Sequence, residues 1–142
     1  MHIRPVVIDT NCLVQIISKH SPYRKIWDAF LGKQFVLCVS NEILEEYQEI
    51  LEHQTTPEIA ENILLLLINQ RNVRYVDPHF RLKIIIADPD DDKFVDCAFA
   101  AGADIIVSED SHFDVLKSTP FPYINVMTME DFVQKQNPVA TK

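Results

Sequence analysis

Short runs of apolar, mostly β-branched residues recur along this chain, and the stretches between them carry helical spacing, which restricts the fold to strands alternating with helices. Pro5 to Ile8 is the first run, reading Pro-Val-Val-Ile. So uniformly apolar a segment suits a strand buried on both faces of a parallel sheet. From Thr10 to about Lys19, Leu13, Ile16 and Ile17 return at helical intervals, so strand passes directly into helix. A second helix is predicted over Pro22 to Leu31, with Gly32 as its stop. Phe35 to Val39 reads as the next strand and Ser40 as a helix N-cap, with Glu42 and Glu45 suited to the first turns. Thr56 and Pro57 open another helix that runs through Leu64 to Ile68. Val73 to Val76 is a candidate short strand.

Beyond Ile84 to Ala87, the segment Asp88-Pro-Asp-Asp-Asp92 is too acidic and too interrupted by proline for an element interior and reads as a loop. Phe94 to Ala101 follows as a nearly all-apolar helix stopped by Gly102. Ala103 to Val107 is a strand that ends in Ser108-Glu-Asp110, and Ile124 to Val126 is an edge strand. Thr128 to Asp131 resembles a capping box for a last helix, and the residues after Gln136 read as a frayed tail. The 142 residues suit one domain, 47% hydrophobic and 24% charged, an ordinary globular composition. The expected architecture is a three-layer α/β/α unit over residues 1–136 with a central, mostly parallel sheet of about five strands, and a flexible tail over 137–142.

No apolar stretch reaches the roughly 18 to 20 uncharged residues that cross a bilayer, and the N-terminal Met-His-Ile-Arg-Pro lacks a signal-peptide pattern, so the expected compartment is the cytoplasm. Cys12, Cys38 and Cys97 are odd in number and lie in apolar segments, which suits buried reduced thiols rather than disulfides or a zinc site. The net charge of −8 excludes a protein that holds nucleic acid mainly by a basic surface. It is compatible with phosphodiester chemistry at bound cations, whose ligands inflate the acidic count. It also suits a basic protein partner.

The positions of the acids carry more information than their number. Asp9 and Asp110 each stand just past a predicted strand, hence at the same sheet edge, where ligands of parallel α/β folds bind. Asp91 stands at the entrance of the helix before the Asp110 strand, facing that edge. In the helix after Ser40, Ile43, Leu44, Tyr47, Ile50 and Leu51 share one face, and Glu46 lies closest to its border among the four glutamates. An acid ending a buried strand is costly unless paired, and clustered carboxylates need a neutralising cation. Hard oxygen ligands without Cys/His spacing favour Mg²⁺ or Mn²⁺ over zinc. Two such ions roughly 3.5 to 4 Å apart would clamp a phosphodiester. Asp88 and Asp90 read as residues that shape the turn.

Val-Val-Ile-Asp9-Thr10-Asn11, Ser40 through Glu46-Tyr47, Asp88-Pro-Asp-Asp91-Asp-Lys-Phe94 and Gly-Ala-Asp104-Ile-Ile-Val-Ser108-Glu-Asp110 together resemble the PIN-domain superfamily, in order over about residues 4 to 133. Within it the likeness is to VapC-like toxin components of toxin-antitoxin systems. That resemblance implies a metal-dependent endoribonuclease that uses Mg²⁺ or Mn²⁺. It assigns Asp9, Glu46, Asp91 and Asp110 to the catalytic metal site, and Asn11 and Ser108 to supporting positions. It further implies an RNA substrate, a small antitoxin partner and a homodimer. Asp92 stands where relatives carry Asn, so Asp91 and Asp92 compete for one position. Glu109 replaces a small residue and would either supplement or crowd the site. His112 is the one histidine near these acids and is expected to be a surface residue. Two other readings remain: a catalytically inactive interaction module of the same fold, and an aspartyl-nucleophile phosphatase. Asn11 opposes the phosphatase, because a second acid is needed there as proton donor.

Overall fold

The computed structural model describes residues 4–136 and realises each predicted strand as a parallel strand, whereas the β-branched run Ile84 to Ile86 forms none. The elements in order are β1 (Arg4–Ile8), α1 (Thr10–Ile17), α2 (Arg24–Leu31), β2 (Phe35–Val39), α3 (Asn41–Gln54), α4 (Pro57–Ile68), β3 (Val73–Tyr75), α5 (Asp92–Ala101), β4 (Ile105–Val107), β5 (Asn125–Met127) and α6 (Met129–Gln136). The sheet order is β3-β2-β1-β4-β5, and every pairing is parallel. The expected α/β/α architecture holds, with a sheet that is wholly rather than mostly parallel. The tail expected over 137–142 lies outside the described residues.

Val6, Val7 and Ile8 are all buried although successive strand residues point to opposite faces, so both faces of β1 are covered. Helix α5 lies against β1, β2 and β4. Phe35 of β2 meets Phe30 of α2 and, edge to face with centroids 5.2 Å apart, Phe132 of α6. Among the described residues no helix is long and apolar enough to cross a membrane. Cys12, Cys38 and Cys97 are buried free thiols, and burial pushes Cys38 up to about 11.

Local chemistry sets the helix ends. Ser40 and Thr56 accept hydrogen bonds from Ile43 N and Ile59 N, and Pro57 occupies the first turn of α4. Gly102 ends α5 at φ 70°, the left-handed conformation that favours glycine. A Cβ there would meet nothing within 4 Å, so the cost of Gly102→Ala is backbone strain alone. We expect a loss of about 1 kcal/mol, seen as a lower urea midpoint at unchanged slope. Gly32 differs: its φ is −80°, and the left-handed residue is the next one, Lys33, at φ 60°. Glycine serves there because a Cβ would stand 3.3 Å from the Asp28 carbonyl oxygen. Helix α5 begins at Asp92, two residues ahead of the expected Phe94, after a 3-10 turn over Pro89–Asp91 that Asp88 opens by accepting from Asp90 N.

Candidate active site

Strand order places the site. From β1 the chain moves outward to β2 and β3, then crosses to β4 on the other side of β1, so β1 and β4 flank the point where the order reverses. A crevice opens beyond the C-terminal ends of strands at such a point. Asp9 follows β1 directly and Ser108 follows β4 directly, and the Ser108 hydroxyl donates a hydrogen bond to Asp9 Oδ2. Asp9 Oδ1 caps α1 by accepting from Cys12 N at 2.9 Å. Both oxygens of this carboxylate are thus fixed by the chain. Asp9 is only 6% exposed, and burial raises its pKa; Ser108 and Cys12 oppose the rise, and the charge of Asp110 adds to it.

Asp110 hangs from the same serine, its backbone N donating to Ser108 Oγ at 2.9 Å. Its carboxylate caps a 3-10 helix, Ser111–Ser118, by accepting from His112 N at 2.9 Å. That cap turns the His112 ring back into the acids: Nδ1 lies 3.3 Å from Asp91 Oδ2, 3.4 Å from Asp110 Oδ1 and 3.9 Å from Asp88 Oδ2. Burial, with the charges of Asp88 and Asp110, pushes Asp91 up to about 6, against the pull of His112. Asp92 is occupied otherwise, accepting from Ile85 N at 2.8 Å and so helping to hold the irregular segment before the acidic turn. Asp96, 2% exposed, does the same at Leu82 N. Geometry therefore separates Asp91 from its neighbour.

Burial along α3 follows the helical phase, with Ile43, Tyr47 and Leu51 buried. The Tyr47 hydroxyl donates to the Ile8 carbonyl, pinning α3 to the end of β1. Glu46 is half-buried beside it. It accepts from the Thr10 hydroxyl at one oxygen and lies 2.7 Å from Lys93 Nζ at the other. Glu42 pairs instead with Arg81 at 2.6 Å, and Glu45 and Glu49 are exposed. Asn11 is exposed and shares a cleft of about 430 Å³ with Asp9, Gln15, Gln54, Glu109 and Asp110. Glu109 accepts from Met129 N at 2.7 Å, the first residue of α6, which ties its carboxylate to that helix.

Lys93 is a residue that sequence reasoning passed over, and His112, expected as a surface residue, is half-buried with its ring against the acids. The signal for His112 was its place two residues after an acid able to cap a turn. For Lys93 it was a cation in the first turn of a helix, where acids are the norm. Among the described residues, the group whose ligand atoms all lie within 4.8 Å of one another is Asp88, Asp91 and His112, which shares only Asp91 with the four acids expected from sequence. Carboxylate oxygens with one imidazole nitrogen, and no thiolate, fit a divalent cation.

This chain is a member of the PIN domain family, whose model matches residues 5–112. No curated protein sequence matches it significantly. In fold it is similar to VapBC2 from Rickettsia felis bound to a DNA fragment from its promoter, at 16% identity and TM-score 0.60 over 87% of this chain and 98% of that one. It is likewise similar to DNA-bound VapBC from Salmonella typhimurium, at 16% identity and TM-score 0.60 over 89% and 99% of the two chains. The PIN domain endonuclease Utp24 shares the fold at 15% identity and TM-score 0.52 over 87% and 84%.

Proposed function

We propose that this chain is a cytoplasmic, metal-dependent endoribonuclease and the toxin of a toxin-antitoxin pair. The observation that carries the reading is the switch-point site itself, where Ser108 ties Asp9 to the backbone of Asp110 and His112 joins Asp110 to Asp91. The similarity in fold to VapBC complexes and to an endonuclease supports it. In this reading Asp9, Asp91 and Asp110 hold Mg²⁺ or Mn²⁺, and Glu46 orients the attacking water. The cation, when bound, lowers the pKa of water and neutralises charge on the scissile phosphate.

The chain's own contribution is preorganisation. Cys12 N and the Ser108 hydroxyl hold the Asp9 carboxylate in one orientation while each oxygen keeps a second lone pair. Thr10 and Lys93 do the same for Glu46. Asp91, at about 6, is anionic near neutral pH and therefore available as a ligand. In this reading Asn11, exposed in the cleft that Asp9 and Asp110 also line, contacts the nucleic acid.

Incubated with structured and single-stranded RNAs, the protein is expected to cleave with Mg²⁺ or Mn²⁺ and to stop in excess EDTA. Cleavage that ignores EDTA would refute the metal-dependent reading. A small protein encoded beside it should bind the chain and suppress cleavage, and the −8 charge suits a basic partner. Failure of every adjacent product to bind would remove the toxin assignment and leave the nuclease. The family resemblance adds a homodimer, testable by sedimentation of the isolated chain.

A further inference from the structure

Lys93 puts a positive charge where local electrostatics disfavour one. It is the second residue of α5, in the first turn of the helix, where the backbone dipole presents positive potential. Its side chain is nevertheless 11% exposed, with Nζ 2.7 Å from Glu46 Oε1 and donating to the Asp90 carbonyl at 2.7 Å. A nearly buried ammonium persists only when paired, and Glu46 supplies the pair. The relation is reciprocal, since the charge of Glu46 is then neutralised by the chain itself. Its other oxygen accepts from Thr10, the residue next to Asp9, which links the ion pair through one residue to the acid that ends β1.

We propose that Lys93 is a resident cation on the Glu46 side of the site, so that the chain takes one divalent ion on the Asp9, Asp91 and Asp110 side rather than two. The inference rests on the metal-dependent reading above and specifies it. A second ion coordinated by Glu46 would stand within a few ångströms of the ammonium and be repelled by it. Glu46 remains a fixed anion for orienting water. Neutralising one acid from within also limits the repulsion among the remaining carboxylates before any ion arrives.

Titration of the full chain with Mn²⁺, reading free Mn²⁺ by electron paramagnetic resonance, tests this without an activity assay. Wild type is expected to bind one Mn²⁺ per chain, and Lys93→Arg, which keeps the charge, also one. Lys93→Met, which keeps the apolar stem and releases Glu46, is expected to bind two. Two ions on wild type would overturn the proposal whatever the variants do, and so would a single ion on Lys93→Met whose circular dichroism matches wild type. No Mn²⁺ on wild type at millimolar concentration would remove the metal-dependent reading along with it, which sets that failure apart from a count of two.

Discussion

Asp9→Asn is expected to cut RNA cleavage at saturating Mn²⁺ by about 10²- to 10³-fold while leaving the fold intact, the scale of losing one preorganised electrostatic group from an active site. Asparagine matches aspartate in shape, and its amide oxygen can still accept from Cys12 N to cap α1. The Ser108 hydroxyl, which donates to the carboxylate, can rotate and accept from the amide instead. What disappears is the negative charge. That charge is costly in the metal-free protein, since burial raises the pKa of Asp9, so the variant should melt no lower than wild type in EDTA. A large kinetic loss at undiminished thermal stability is the signature. Cleavage within about threefold of wild type, far below the loss expected for such a group, would sink the mechanism.

Asp91→Asn should move stability in a direction that depends on pH. The unfolded carboxyl titrates near 3.9 and the folded one near 6, so the folded state holds the proton more tightly between those values. Stability contributed by the protonated form is present below about pH 4 and is lost as pH rises to about 6, beyond which the full penalty persists. About two pKa units correspond to about 3 kcal/mol. Asparagine escapes this penalty, which is already net of the contact with His112, and with solvent screening of the partly exposed group the gain at pH 7.5 in EDTA should be roughly 1 to 3 kcal/mol. For a domain of this size that is a rise in Tm of roughly 3 to 10 °C. At pH 4 the gain should vanish. Added Mn²⁺ should close the gap at pH 7.5, because wild type retains the whole carboxylate set. Calorimetry at both pH values checks the sign, and destabilisation at pH 7.5 in EDTA would show that Asp91 is not held above its ordinary range.

Most of the scaffold was legible because its signals are local. The β-branched runs at Val6 and Phe35 need no partner to read as buried strands, and Ser40, Thr56-Pro57 and Gly102 mark helix ends through chemistry within a few residues. Glu46 could be separated from Glu42, Glu45 and Glu49 because helical phase alone decides which side chain borders the apolar face. The acidic turn resisted. Whether Asp91 or Asp92 faces the site depends on where α5 starts, and one residue of helix rotates a side chain by about 100°. The start is set by side-chain bonds from Asp92 and Asp96 to the backbone of Ile85 and Leu82, a segment without periodicity of its own. His112 could be placed near the acids, but not its contacts with them, since it sits in a 3-10 turn that apolar spacing does not announce. Lys93 pairs across two helices, and its unusual place in a first turn marks it as out of the ordinary without naming Glu46 as its partner.

The hydrogen bond between Asp9 and Ser108 spans 99 positions of sequence. Strand β1 occupies the middle of the sheet, yet its neighbour β4 is made after β2 and β3, and closing so long a loop delays their pairing in folding. During synthesis the order is stricter still. A ribosome that has released β1, β2 and β3 has released Asp9 and Glu46 but neither Asp91 nor Asp110. On the proposed reading, an incomplete chain is inert by construction: a nuclease built this way stays silent toward the message that encodes it until the message has been read past Asp110.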